Sequence, residues 1–346
     1  MNDIFENRIQ SNGKTRVPVW FMRQAGRYHD HYQNLKKSYD FMTLCKDPKL
    51  ACEVTMGPID EFDFDAAILF SDLLFPLEQM GTGLVYNPGP KLDKTLSKLE
   101  DLQNLKLTGH DPSYYQFQKD ACVNLKQALP DTKTLLGFVG APFTLYAYAV
   151  EGAHAGSLVS SKTGLYDGRF EKFTEILLPN VLGEMIMQAQ GGADAICIFD
   201  TAVGELTVKD FKNIVLPKIK WLSREFKKSF PDKKVIYYSR NTHLNHLREI
   251  QEDSIDVLGV DWRHDMGAVL NEFGKDYYIQ GNFDPCWLHL SWEQCRDNLA
   301  EFYKEITDQN APLDKWICGL GHGVLQFTPQ ENVKNSINYI HENFLY

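Results

Sequence analysis

Cysteine pairing signals are missing from this chain. Its seven cysteines, at 45, 52, 122, 197, 286, 295 and 318, are odd in number, and no two are spaced C-x-x-C. That argues against a disulfide framework or a cysteine zinc site and for a reducing cytosol. Long apolar runs are also missing. The longest uncharged one, "TLLGFVGAPFTLYAYAV" at 134–150, is shorter than the ~20 residues a spanning helix needs. Gly137, Gly140 and Pro142 interrupt it, so it reads as a buried strand, a turn and a helix start, with no membrane span. The opening "MNDIFENRIQSNGK" has no apolar core and is not a secretory signal. There is no Ser/Gly/Pro-rich linker, internal repeat or low-complexity tract. Positive charge is the scarcer sign, with 36 Lys and Arg against 46 Asp and Glu, for a net charge of −10. That disfavours general nucleic-acid binding. An anionic ligand would need a local basic pocket working against the global field. Gly-x-Ser-x-Gly elbows, Walker loops and His-Glu-x-x-His motifs are all absent.

What is present is regular. Eight short β-rich runs recur, at 17–23, 65–72, 132–140, 192–200, 233–240, 255–261, 277–282 and 316–323. Most are nearly continuous apolar, as in strands buried on both faces. Segments with helical spacing lie between them. Asp111 and Pro112 suit an N-cap and first helical position. The segment "RFEKFTEILLPNVLGEMIMQAQGG" is expected to be kinked or divided at Pro179 and to stop at Gly191–Gly192. The last helix is expected to start at Thr328–Pro329, with Glu331 closing a capping box. Eight strands alternating with helices predict an α/β fold, a single (β/α)8 TIM barrel over 346 residues with a polar segment at 1–16. The rival is an open doubly wound sheet, but its Gly-x-Gly-x-x-Gly turn does not follow the first strand.

In a barrel the active site lies at the C-terminal strand ends. These are Arg23, Ser71–Asp72, Gly140, Asp200–Thr201, Ser239–Arg240, Asp261, Gln280–Asn282 and His322. Each polar residue there has two readings, chemistry or a cap for the next helix. Residues 7–29 hold Arg8, Lys14, Arg16, Arg23 and Arg27 and no carboxylate. Gly26 implies a turn that folds Arg23 and Arg27 toward one point, suited to gripping carboxylate or phosphate. The plainer alternative is a pair of surface arginines bridged to acids elsewhere. Asp72 closes the apolar run "AAILFS" and needs a donor, from a ligand N–H, a cation or a helix start. "GLGHG" at 319–323 could cradle phosphate, or its glycines could admit a bulky ligand to which His322 donates. His29 and His31 read as a solvated loop, not a metal site.

The motifs together resemble a known family. "PVWFMRQAGRY", "DAAILFSDLL", "GFVGAPFTLYAYAVEG", "IFDT", "GVDW", "QGNFDP" and "LGHG" are similar in order and spacing to the signatures of the uroporphyrinogen decarboxylase family. The likeness runs from Pro18 to the final helix. It implies a (β/α)8 barrel and a carboxy-lyase acting on a tetrapyrrole with four acetates and four propionates. It also implies no metal or organic cofactor, and a homodimer with facing clefts. The loop Arg23, Gln24, Ala25, Gly26 and Arg27 would contact substrate, with both arginines holding carboxylates. Asp72 would face the pyrrole N–H groups. Tyr148, Thr201 and His322 would also line the substrate, with Arg23, Asp72, Tyr148 and His322 in catalytic roles.

There are departures from the family pattern. "RYLPEY" is "RYHDHY" here, Ala202 stands where a tryptophan commonly follows the "FDT" hydroxyl, "FSKG" is "YSRN", and "NLGHG" is "GLGHG". The alternative reading is a zinc-dependent, corrinoid-type methyltransferase of a related barrel. That class needs a His-x-Cys pair, and none of the ten histidines has Cys two positions later.

Overall fold

The computed structural model describes residues 4, 5, 10, 11, 13–86, 89–93, 95–105 and 111–346. Arg8, the first cation of the basic stretch, lies outside the described residues. Seven of the eight apolar runs become strands: β1 (Ala66–Ile68), β2 (Thr134–Gly140), β3 (Ala195–Asp200), β4 (Lys234–Ser239), β5 (Val257–Gly259), β6 (Tyr278–Phe283) and β7 (Trp316–Leu320). Most are buried along their whole length, which is why the sequence shows runs and not alternation. The larger helices are α1 (Asp30–Lys36), α2 (Pro48–Phe62), α3 (Gln116–Ala128), α4 (Pro142–Glu151), α5 (Arg169–Gln190), α6 (Leu216–Ser229), α7 (Met266–Phe273), α8 (Trp292–Asp308) and α9 (Gln330–Asn343). From β1 onward each strand is followed by helix, with Leu244–Ile250 between β4 and β5, and a small antiparallel pair, Leu84–Tyr86 with Pro90–Leu92, interrupts the pattern between β1 and β2.

The eighth run, 17–23, differs from expectation. It carries one isolated parallel bridge, Val19 to Cys318. Cys318 N donates to Pro18 O at 2.8 Å, Trp20 N to Cys318 O at 3.2 Å, and Asp65 N to Val19 O at 2.9 Å. The segment therefore lies between β7 and the entry to β1 and does a strand's work. Pro18 has no N–H with which to extend the ladder. The chain leaves the extended conformation at Arg23, where φ is 61°.

Two compact units are distinguished, Met1–Phe70 with Ala121–Leu136 and Asp256–Tyr346, and Ser71–Asp120 with Gly137–Ile255. In the first, β6 pairs in parallel with β5 and β7, and β1 pairs with β2. Tyr303, Trp316 and Phe344 stack beside β7, with ring centroids 4.5 Å and 5.6 Å from Phe344. Below β1, Asp65 receives Arg16 Nη1 at 2.7 Å, Arg16 Nη2 at 2.6 Å and Val19 N at 2.8 Å, and pairs with His341 Nε2 at 3.2 Å. In the second unit, β3 and β4 pair in register from Ala195–Lys234 to Asp200–Ser239. Phe199 packs against Phe138 and Tyr238 at centroid distances of 5.6 and 6.0 Å.

Three local expectations are corrected. The helix α5 runs through Pro179 without division. The cap of α9 is Pro329 with no side-chain bond, because the Thr328 hydroxyl pairs with His289 Nε2 at 3.0 Å instead of capping. His29 is fully buried at the start of α1, its Nε2 2.7 Å from Glu61 Oε2. The expected solvated loop at His29 is thus a packed helix start, because Glu61 on α2 supplies the partner that makes burial affordable.

Candidate active site

The arginine loop belongs to the first unit and is built from its backbone outward. His29 N donates to Gly26 O at 2.9 Å, closing the turn that Gly26 predicts. Gln24 is fully buried and donates from Nε2 to Ala66 O at 3.1 Å, tying the loop to β1. Ala25 packs on the apolar cluster of Tyr32, Leu44 and Val54. Gln24 and Ala25 thus anchor the loop, while Arg23 and Arg27 are exposed.

The loop after β7 meets Arg23. Val324 N donates to Met22 O at 2.9 Å. A Cβ built on Gly323 would lie 2.5 Å from Arg23 Cδ and 2.6 Å from its Cγ. Gly319 is as constrained, since a Cβ there would stand 2.6 Å from Trp20 O. At Gly321 a Cβ would meet Trp262 N at 2.4 Å. The glycines of "GLGHG" are therefore required by close backbone packing. Neither a phosphate cradle nor ligand clearance is needed to explain them. The departure to Gly319 fits the same crowding. His322 is buried, and its Nδ1 accepts from Gly323 N–H, which leaves the proton of the neutral ring on Nε2. Arg23 and His322 are thus brought to adjoining loops of one unit.

Asp261 and Asn282, two other strand-end residues, brace each other. Asn282 Nδ2 donates to the carbonyls of Asp261 and His264, both at 2.8 Å, and Asp261 accepts from Arg263 N at 2.9 Å. At these two positions the structural reading holds.

Asp72, Tyr148 and Thr201 belong to the second unit. Asp72 is half-buried, and its Oδ1 accepts from Leu74 N at 2.8 Å, shaping the turn into the short helix Phe75–Gln79. Tyr148 is half-buried on α4, its ring 5.0 Å from that of His154. Thr201 follows β3 directly. Its loop is held by fully buried Asp200, which accepts from Thr144 Oγ1 at 2.7 Å and Tyr237 OH at 3.0 Å. Ala202 N donates to Thr144 Oγ1 at 3.1 Å, so one α4 hydroxyl fixes both sides of Thr201. Burial pushes the Asp200 carboxyl up to about 6, against the pull of the Thr144 and Tyr237 hydrogen bonds.

A buried polar chain beside Asp72 has no counterpart in the sequence reading. Gln118 Nε2 donates to Ser71 Oγ at 2.9 Å and to Glu184 Oε1 at 2.7 Å. Gln118 Oε1 accepts from Gln188 Nε2 at 3.1 Å. Gln188 also exchanges two bonds with the backbone of Phe138, at 2.7 and 2.9 Å. Glu184 and Gln188 are four apart on α5 and share a face. A signal did exist, in Glu184 and Gln188 inside the apolar stretch "VLGEMIMQA".

Parallel strands, alternating helices and polar strand ends define a protein of the (β/α)8 class. A solved methyltransferase from Methanosarcina mazei shares this fold, at TM-score 0.70 and 15% identity over 94% of both chains. The uroporphyrinogen decarboxylase (URO-D) family profile matches residues 1–343. Relatives named uroporphyrinogen decarboxylase include one from Chlorobium phaeobacteroides, 33% identical over 99% of this chain and 97% of its own. Another, from Ruthia magnifica, is 34% identical over 97% of both chains. A third, from Pelobacter propionicus, is 34% identical over 96% of both. The chain belongs to the uroporphyrinogen decarboxylase family.

Proposed function

We propose that this protein decarboxylates uroporphyrinogen III, converting its four acetate side chains to methyl groups with release of four CO₂. Full-length family membership carries the reading, with Arg23, Arg27, Asp72, Tyr148, Thr201 and His322 as the residues that its motifs assign to the site. The substrate is an octa-anion, which accounts for a cation-rich, acid-free segment in an acidic chain. Planar guanidinium forks at Arg23 and Arg27 orient carboxylates better than lysines would.

The pyrrole supplies its own electron sink. A proton added to the ring carbon that bears the acetate creates a cation. The C–C bond to the carboxylate then breaks, its electron pair returns to the ring, and CO₂ leaves. A second proton completes the methyl group, and the ring carbon gives up the first proton to restore the pyrrole, so each acetate lost takes up one proton net. Asp72 stabilises the developing cation more than the neutral ground state, which is the condition for catalysis. Arg23 anchors carboxylate and is a poor acid by itself. Tyr148, His322 or a substrate propionic acid relays the proton instead, and His322 presents its Nε2–H for such a relay.

On this reading residues 1–346 form one catalytic domain with a polar segment at 1–16, working in the cytosol as a homodimer without metal or organic cofactor. Its partner is the small tetrapyrrole and not nucleic acid. No helix among the described residues is long and apolar enough to cross a membrane. The test is anaerobic incubation with uroporphyrinogen, followed by counting carboxyl groups on the products by mass. Loss of four CO₂ per ring is expected. An unchanged eight-carboxyl substrate would end the proposal.

A further inference from the structure

Glu184 is the charged residue most at odds with its surroundings. It is fully buried on α5, and its Oε2 has no hydrogen-bond partner among the described residues. Its Oε1 accepts from Gln118 Nε2, whose other N–H goes to Ser71, the residue before Asp72. The direction of every bond in the chain is set. Gln188 is locked to the Phe138 backbone, so it must donate to Gln118 Oε1, and Gln118 must present N–H groups to both Ser71 and Glu184. Glu184 Oε1 is therefore an acceptor, and a carboxyl proton belongs on Oε2. Gly137 makes room for the device, since a Cβ there would stand 2.2 Å from Gln188 Oε1. An ionised Glu184 would leave an unsolvated oxygen in the interior, which is costly. It would also add a second negative charge near Asp72. Burial first, then the charge on Asp72, hold its carboxyl well above the usual range, against the Gln118 hydrogen bond. The other ionisable groups facing it are Tyr115, which feels its charge most, and Tyr114, which donates to Glu78 Oε2 at 2.7 Å.

We propose that Glu184 is a positioning residue of the decarboxylation site: as a neutral acceptor for Gln118, it fixes the Ser71–Asp72 turn. This rests on the role given above to Asp72. On this proposal alkaline ionisation of Glu184 places an unsolvated anion against Gln118, disturbs the Ser71–Asp72 turn and produces a falling alkaline limb in kcat.

The test compares wild type with Glu184→Leu and Glu184→Gln. Glu184→Leu lowers kcat by about tenfold, the scale of one lost hydrogen bond, with KM within about threefold. Glu184→Gln recovers kcat to within about threefold, because its amide oxygen still accepts from Gln118, and its alkaline limb is lost. Superimposable pH profiles for wild type and Glu184→Gln would mean a purely structural residue and overturn the proposal. So would collapse of turnover in Glu184→Gln, which would mean that the carboxyl reacts directly. A second readout needs no activity. The infrared difference spectrum, wild type minus Glu184→Gln at pH 7, is expected to contain the carbonyl band of a protonated carboxylic acid. Absence of that band overturns the proposal even if the enzyme is active. Presence of the band in a protein that releases no CO₂ from uroporphyrinogen would instead sink the functional reading.

Discussion

The backbone of Gly323 lies against the side-chain stem of Arg23, so close that an added methyl would sit 2.5 Å from Cδ and 3.0 Å from Cβ. The contact reaches atoms near the Arg23 backbone, which cannot swing away as a guanidinium tip could. Gly323→Ala is therefore expected to displace Arg23 and raise KM for uroporphyrinogen by about tenfold, the scale of one lost charge-assisted hydrogen bond. Steady-state kinetics on the variant, with circular dichroism to confirm folding, measure this. An unchanged KM would mean that Arg23 does not hold substrate.

Asp72→Asn separates charge from shape. Asn keeps an oxygen that accepts from Leu74 N, so the turn survives while the negative charge is lost. Turnover is expected to fall by at least about a hundredfold, as when a preorganised transition-state contact is removed. Substrate affinity should stay within about tenfold, since the arginines proposed to hold its carboxylates remain. Equilibrium binding and single-turnover rates give the two numbers.

Acid unfolding should report Asp65. Burial alone would raise its carboxyl, but hydrogen bonds from His341 and Arg16 and the Arg16 charge bring it down to about 2. Its folded value lies below the unfolded one, so its contribution is present above about pH 4 and lost as pH falls through about 2. The contribution is about 2 kcal/mol, and Asp65→Asn should remove that acid slope. The variant should also lose about 3–5 kcal/mol at neutral pH, because Arg16 stays buried without its counter-charge. Urea unfolding between pH 2 and 7 measures both.

Asp200 behaves with the opposite sign. Its folded value, about 6, lies above the ordinary carboxylate range because of burial. Its contribution is complete below about pH 4 and is lost as pH rises through about 6. Asp200→Asn should not show this decline, since the Tyr237 hydroxyl can turn from donor to acceptor for the new amide. Thermal unfolding midpoints of both proteins across pH 4–7 decide it. Parallel curves would place the titration on another group.

Much of the fold was legible because parallel strands buried on both faces must be written as short apolar runs, and seven of eight were. The exception, 17–23, carries the right residues, but Pro18 cannot donate to a ladder and Arg23 turns out of it. Of the candidate site, Asp72 and the Arg23–Arg27 loop stood out as polar groups at the ends of apolar runs. His29 was misread and Glu184 missed for one reason. Each is made tolerable by a partner on another element, Glu61 and Gln118, at separations of 32 and 66 residues.

Sequence alone determined the alternation of strands and helices, the cation-rich loop before α1 and the family, because local periodicity and motif order are properties of the chain itself. Tertiary structure decided which carboxyls are charged. Asp65 meets Arg16 and His341, the latter 276 residues away, and is held ionised, while Asp200 and Glu184 meet hydroxyls or an amide and are pushed toward the neutral form. Desolvation and its compensation depend on what packs beside a group, and only folding supplies that neighbour.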